Sequence, residues 1–401
     1  MKKLFRFVFR FIIYTIVIII GMLITFYLLA PVYNFSGPVK FTGEQLYNQY
    51  QSIDSLNWKK YNFQVQSNAW LGITDGRKNT NERIDSIYSI LGFDHVATSD
   101  YQKINHYGND KPSFIPTYEH GYNIYKTHQV CIGADKVLWV DLMFGQTMSM
   151  KQWILDELQK STRFVVLAHP LLRDGYSIED MKYLTNYNAI EVLNNMRVST
   201  DHWDAALSSG QLAWIIGNDD AHDVLNSNDV GRRFTMINSE SMDSSAILKQ
   251  LDNGVAYGMD FFRIDDEPMD DKVERSKGIP YLTKAKLRSD TLYVSTDQLP
   301  VEIRFIADNG ELVKSIKNSK SAWCILDNDY SYLRTEFEFP DGSRMFLNPI
   351  VRYSGEKPVS LKNAEVNTSA TLTMRMIYFI IGLVIAYGIA RWRKNRKTKI
   401  S

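Results

Sequence analysis

The stretch LAWIIGNDDAHD, residues 212–223, decides how the middle of the chain is read. A short apolar run, Leu212–Ile216, ends in the polar cluster Asn218-Asp219-Asp220-Ala221-His222-Asp223. That is the pattern of a buried strand whose carboxyl end opens into a site. The same pattern recurs on the amino-terminal side. Phe164–Ala168 runs into His169-Pro170, and Ala189–Leu193 runs into Asn194-Asn195. His95–Ala97 is followed by Thr98, Ser99, Asp100 and Tyr101; Asn62–Val65 is followed by Gln66, Ser67 and Asn68, then Asp75-Gly76. Helix-like stretches alternate with these runs at Asn81–Leu91, Ser149–Lys160, Ile178–Tyr183 and Ser245–Asn253. Such alternation, sustained from Tyr61 to Phe262, predicts an α/β domain of mostly parallel strands, barrel-like in form.

From Leu282 onward the helical signal stops. Asp290–Ser295, Pro300–Ala307, Cys324–Leu326, Tyr332–Phe339 and Ser343–Val351 alternate or are β-rich, with turn signals at Asp308-Asn309-Gly310 and Asp341-Gly342. A small antiparallel β-sandwich is expected there.

The two ends read differently again. Phe11 to Ala30 is an uncharged run of 20 residues, preceded by Lys2, Lys3, Arg6 and Arg10. At about 1.5 Å per residue such a helix crosses the bilayer hydrocarbon. The run is long for a signal-peptide core and Leu28-Leu29-Ala30-Pro31 lacks a small-x-small cleavage pattern, so an uncleaved anchor is expected. A second apolar run, Met376–Ala390, extends back to Ala370 if Arg375 snorkels to the interface, and six Lys/Arg follow it. Both basic clusters place the termini in the cytoplasm and the body outside, in the periplasm of a Gram-negative host.

The expected organisation is therefore a basic N-terminus (1–10), a transmembrane helix (11–30), a linker (31–57), a barrel (58–263) and a β-sandwich (280–353). A second linker (354–369), a second transmembrane helix (370–390) and a basic tail (391–401) complete it.

Of 401 residues 45% are hydrophobic and 23% charged, which excludes a disordered or low-complexity chain. Two distant cysteines, Cys131 and Cys324, exclude a disulfide scaffold and a four-cysteine zinc module. The ends hold 11 of the 46 basic residues and no acid, so residues 31–370 carry a net charge of −10. That argues against nucleic acid as a partner.

Chemistry in such folds gathers at strand carboxyl ends. Glu119, His128, His169, Asp220 and His222 are all candidates for one rim, and histidine with carboxylate is the usual donor set for Zn, Mn or Fe. Lone histidines such as His95, His106 and His202 read as surface or satisfied core residues. The body's tryptophans (Trp58, Trp70, Trp139, Trp153, Trp203, Trp214) read as core in preference to a sugar-binding surface.

The order of these motifs resembles the PHP (polymerase and histidinol phosphatase) domain over residues 58–263. The pieces that carry the resemblance are Phe63-Gln64-Val65-Gln66-Ser67, Asp75-Gly76, Gly92 through Tyr101, Glu119, His128, Ala168-His169-Pro170, Ile190-Glu191-Val192 and Asp220-Ala221-His222. The block from Glu119 to Gly133 is similar to an extracytoplasmic subset with a trailing β-sandwich, and Asn348-Pro349-Ile350 looks like that sandwich's close. The resemblance implies a distorted (β/α)7 barrel, an amidohydrolase-like metal-dependent hydrolase and a small phosphoester substrate. It also implies that Glu119, His128 and His169 hold the third of the family's three metals. The departures are at the other two. Where the family has His-x-His this chain has Gln64 and Gln66, and where it has Asp-His this chain has Asp100-Tyr101. A neutral amide oxygen is a poor substitute for imidazole on a transition metal.

Two functions follow. In one, a single divalent metal serves ester or phosphoester hydrolysis, with Asp220 as base or orienter, His222 as acid or transition-state stabiliser, and Asp75 and Asp100 as further oxygen donors. In the other, a non-catalytic descendant binds a ligand or protein partner in the same cleft.

Overall fold

The structure is a computed structural model describing residues 2–72, 74 and 76–397. Asp75 lies outside the described residues. The elements run α1 (Lys2–Leu29), β1 (Tyr33–Phe35), β2 (Gln45–Tyr47), β3 (Trp58–Val65), α2 (Asn81–Ile90), β4 (His95–Thr98), β5 (Thr117–His120) and β6 (Gln129–Ala134). They continue with α3 (Met148–Gln159), β7 (Thr162–Leu167), α4 (Ile178–Tyr183), β8 (Ala189–Asn194), β9 (Arg197–Val198), α5 (Thr200–Ser208), β10 (Trp214–Asn218), β11 (Arg233–Asn238), α6 (Ser244–Asp252), β12 (Ala256–Asp260) and α7 (Met269–Ser276). The last part is β13 (Leu282–Arg288), β14 (Thr291–Thr296), β15 (Glu302–Ala307), β16 (Glu311–Lys317), β17 (Ser321–Ile325), β18 (Tyr332–Glu338), β19 (Arg344–Leu347), β20 (Ile350–Tyr353), β21 (Ala364–Val366) and α8 (Thr368–Lys397).

The helices start where side chains can satisfy the free N–H groups of a first turn. Thr80 and Thr147 accept from the backbone of Arg83 and Met150, and Ser177 forms a reciprocal capping box with Asp180.

The strands form a mixed arrangement. One sheet has the order β10-β8-β7-β6-β5, with β9 beside β8. The pairs β10–β8 and β8–β7 are parallel, but β6 runs against both β7 and β5. The larger sheet has the order β16-β15-β18-β19-β12-β11-β3-β4, with β3–β4 parallel and β11 antiparallel to β3 and β12. The strands are thus less uniformly parallel than the alternation predicts. The periodicity of a strand reports burial, not direction.

The late β-rich segment does pair antiparallel throughout β13–β14–β17 and β16–β15–β18–β19. These two layers share one core with Phe305, Val294, Ala322 and Phe337. The pairing of β12 with β19 joins the larger sheet across the expected boundary between the barrel and the β-sandwich.

Asn348 locks this junction. Its side chain accepts from Ile215 N at 2.7 Å and donates to the carbonyls of Gly254 and Ala256 at 2.9 and 3.0 Å. Its own N–H donates to the Tyr50 hydroxyl at 2.7 Å. Asn348→Ala strands buried groups on β10 and before β12, at a cost of about 2 to 4 kcal/mol. The expected outcome is a clear fall in the thermal midpoint of the full chain in detergent.

Both terminal helices are long and apolar enough to cross a membrane, over Leu4–Leu29 and Thr368–Arg393. They meet at the body: β1 pairs antiparallel with β21, Val32 N donates to Thr371 Oγ1 at 3.0 Å, and Arg375 Nη2 donates to Leu29 O at 2.9 Å.

Just before β21, Lys362 is buried and donates Nζ to Met181 O at 2.6 Å, tying the return segment to α4. Burial pushes its ammonium down to about 7. The folded value lies below the unfolded one of about 10.4, so between these limits the unfolded chain binds more protons and stability rises with pH. This stabilisation is complete above the unfolded value and is lost as pH falls towards 7. Thermal scans from pH 7 to 9 should show wild type gaining on Lys362→Met, by at most about 1.4 kcal/mol per pH unit.

Candidate metal centre

Three neighbouring strands bring three donors to one edge. In β5–β6 register Glu119 faces Val130, and in β6–β7 register Gln129 faces Leu167. The end of β5, the residue before β6 and the segment after β7 therefore lie side by side. Ala168 N donates to His128 O at 3.1 Å, which places His128 beside His169. His128 Nδ1 lies 2.6 Å and His169 Nε2 3.4 Å from the same oxygen, Glu119 Oε1. Ligand atoms of the three residues lie within 4.8 Å of one another, and all three residues are buried.

Backbone strain aims two of the side chains. His169 has φ 31° and Asp220 has φ 51°, in the left-handed region that non-glycine residues avoid. The His169 N–H is held by Glu191 Oε2 at 2.7 Å. Gly121, with φ 122°, passes so close to the His128 ring that a Cβ there would lie 2.5 Å from Cδ2.

The electrostatics turn on one buried charge. Burial alone would raise the Glu119 carboxyl, but hydrogen bonds from His128 and His169 outweigh it and hold the group well below the usual carboxylate range. Burial pushes His128 down despite Glu119. For His169 the burial effect is overcome by Glu119 and by the charges of Asp220 and Glu191, which raise it to about 9. Burial, reinforced by Glu119, raises Asp220.

The other sequence candidates fall into distinct places. Gln66 donates Nε2 to Glu119 Oε2 at 2.8 Å and to Ser99 O at 2.9 Å. Gln64 is buried beside it with neither amide atom partnered among the described residues. Asp100 is engaged elsewhere, accepting from Ser67 N and Oγ and from Asn105 Nδ2. Tyr101 packs edge-on to His128, with ring centroids 5.4 Å apart. Asp220 Oδ2 accepts from Asn194 at 3.2 Å, while Oδ1 has no hydrogen bond among the described residues and lies 3.9 Å from His222 Nδ1. His222 is partly exposed, with Nδ1 2.8 Å from the Asp220 carbonyl. Asp220 and His222 do not join the three-residue cluster.

Glu191 stands in the sequence only as part of the Ile190-Glu191-Val192 piece, with no site role, and Lys126 is not among the sequence candidates. Glu191 sits in a strand whose every residue is buried, accepts from Asn218 as well as His169 N, and is pushed up to about 8 by burial and by Asp220. A lone carboxylate inside the apolar run Ala189–Leu193 was the available signal. Lys126 lies in a loop whose course no periodicity reveals.

The residues fit a divalent cation. Glu/His/His is a three-donor set of the kind that leaves an open position, and His169 Nδ1, Gln66 Oε1 and Asp220 Oδ1 are buried polar atoms without partners among the described residues. His128 also borders a cavity of about 300 Å³ lined by Thr74, Tyr101, Gly121, Tyr122, Asn123, Lys126 and His222.

Compared with known proteins, the chain matches no family model and no curated protein. It is similar to the crystal structure of a two-domain protein containing a predicted PHP-like metal-dependent phosphoesterase from Bacteroides vulgatus ATCC 8482. The identity is 10% and the TM-score 0.39, over 82% of this chain and 100% of that one.

Proposed function

We propose that this chain is a membrane-anchored, PHP-like hydrolase of phosphoesters that works with one divalent metal. The observation that carries the reading is the double position of His128, which belongs to the buried Glu119–His128–His169 cluster and also walls the cavity. A metal held there is reachable by a small substrate. The resemblance of motif order supports the same reading. So does the way isolated parallel bridges, Val65 to Ala221 and Tyr101 to Glu119, join the two sheets. With them β4, β3, β10, β8, β7, β6 and β5 close a ring of seven strands, read here as the distorted barrel. In this reading 58–263 is the barrel, 280–353 the sandwich, and the two terminal helices span the membrane with both basic ends in the cytoplasm.

Bound at Glu119, His128 and His169, a divalent cation would supply Lewis acidity towards a phosphoryl oxygen and lower the pKa of a nearby water. The protein's own groups do the rest. Water's oxygen bonds to phosphorus as the P–O ester bond breaks. Asp220 Oδ1, buried and free of hydrogen bonds among the described residues, takes the proton from the water. His222, at the mouth, gives a proton to the leaving oxygen. Lys126 orients the phosphate from the cavity wall.

One observation favours a second reading, a ligand-binding protein without catalysis. Gln66 occupies Glu119 Oε2 with a neutral amide, where a histidine would have been a metal ligand. Elemental analysis of the purified full chain separates the two. About one transition metal per chain, lost in His169→Ala and Glu119→Gln, together with phosphoester hydrolysis at least about 100-fold above Asp220→Asn, is the expected outcome. Wild type that binds no metal after growth with added Mn, Zn and Fe would sink the hydrolase and leave the binding protein.

A further inference from the structure

The mouth of the cavity has an apolar rim that the hydrolase reading does not use. Leu71 is 97% exposed, Trp139 58%, Phe144 52% and Ile124 51%, with Tyr125 and Trp70 close behind. These residues are scattered in sequence yet joined in space. The Trp70 and Trp139 rings meet edge-on, with centroids 6.5 Å apart. Ile124 N donates to Met143 O at 2.9 Å, and a Cβ on Gly145 would touch the Tyr125 ring at 3.8 Å. Trp70 and Leu71 both hold positive φ, 53° and 58°, so the backbone is bent to present them outward. Exposed apolar side chains gathered on loops around one cavity mark a surface for a partner or a membrane.

Two contacts decide between those occupants. The first runs to the membrane helix: Phe144 N donates to the Tyr27 hydroxyl at 2.7 Å, and Phe26 and Tyr27 in the last turn of α1 pack on the core cluster that contains Leu142. Tyr27 stands at the body end of a helix able to span a bilayer, the depth at which tyrosine and tryptophan collect at the interface. Phe144 is thereby fixed at the same depth. The second contact runs to the site: Trp70 Nε1 donates to Tyr101 O at 2.8 Å. The loop 121–127 does both at once, carrying Ile124 and Tyr125 on the rim and Tyr122, Asn123 and Lys126 in the cavity wall. Cations stand beside it, Lys126 and Arg173, whose Nη1 donates to Ile124 O at 3.0 Å; Asp174, next to Arg173 in the chain, is an exposed acid.

We infer that this rim lies in the headgroup layer of the membrane, and that the site takes the phosphoester of a membrane lipid while the acyl chains stay in the bilayer. The substrate half of this inference rests on the hydrolase reading; the seating of the rim does not. A cavity of about 300 Å³ holds a phosphate with its glycerol or headgroup but not two acyl chains. A lipid would need to rise only partly from the leaflet, its phosphate meeting Lys126 and His222. Hydrolysis then breaks the P–O bond to the lipid or headgroup oxygen, which takes a proton, while phosphorus takes the oxygen of water.

The test uses the full chain in lipid nanodiscs. Cys131 and Cys324 are buried, so a bimane label can be placed on Leu71→Cys, with Leu56→Cys as the control. Leu56 is 87% exposed and lies before β3, at the strand end opposite the site. In discs of brominated phosphatidylcholine the Leu71→Cys label should lose emission relative to unbrominated discs, and the Leu56→Cys label should not. Equal emission from Leu71→Cys in both discs overturns the membrane seating and points to a protein occupant. In the second arm the metal-loaded chain is given matched pairs: phosphatidic acid in the disc against glycerol phosphate in solution, and phosphatidylglycerol against glycerophosphoglycerol. Faster turnover of the disc lipid is expected. Faster turnover of the soluble ester overturns the lipid assignment. No turnover of any of the four, with Leu71→Cys still quenched, overturns the hydrolase reading and with it the substrate, but keeps the rim in the membrane.

Discussion

A carboxylate with no exposure to water, Glu119, is the constraint from which the centre of this molecule is built. An uncompensated charge in that position would be costly, and the surrounding structure is arranged to compensate it. His128 and His169 meet one oxygen and Gln66 meets the other. To bring those partners in, three strands must meet at one edge, and β6 must run against β5 and β7 so that the residue before its start, His128, reaches the site. The strained backbone at His169 follows from the same demand, because its N–H is taken by Glu191 while its ring turns inward.

The two glutamines at positions 64 and 66 enter this balance in different ways. Glutamine brings donors as well as an acceptor, and Gln66 meets part of the carboxylate's demand as a hydrogen-bond donor. Gln64 finds no partner among the described residues. The Glu119–His128–His169 group stands complete beside them.

Much of the fold was legible because buried strands and capped helices leave local marks. Phe164–Ala168 became Thr162–Leu167, Leu212–Ile216 became Trp214–Asn218, and Asn81–Leu91 became Asn81–Ile90. The run Ser343–Val351 proved to be two strands, broken at Asn348-Pro349, where proline cannot continue a ladder. What stayed hidden was non-local: the reversal of β6, the short β5, and the join of β12 to β19. The site was legible where a polar residue ends an apolar run, as at His169 and Asp220. It was illegible where a polar residue sits within one, as Glu191 does, or in a loop, as Lys126 does. Asp100 shows a second use of a carboxylate at a strand end: it ties a loop, here through Ser67 and Asn105.

The small ladder between β1 and β21 bears on how the chain is made. Residues 33–35 pair with residues 364–366, and β2 waits likewise for β20. The first strands of the body to leave the ribosome are therefore among the last to find their partners, more than 300 residues later. During that interval the edges of β2 and β18 stand open, and the core they cover is incomplete, a state prone to aggregate. Biogenesis of this protein should accordingly depend on a factor that shields the nascent body until β20 and β21 arrive. Loss of such a factor would be felt as degradation of newly made chains, with mature ones spared.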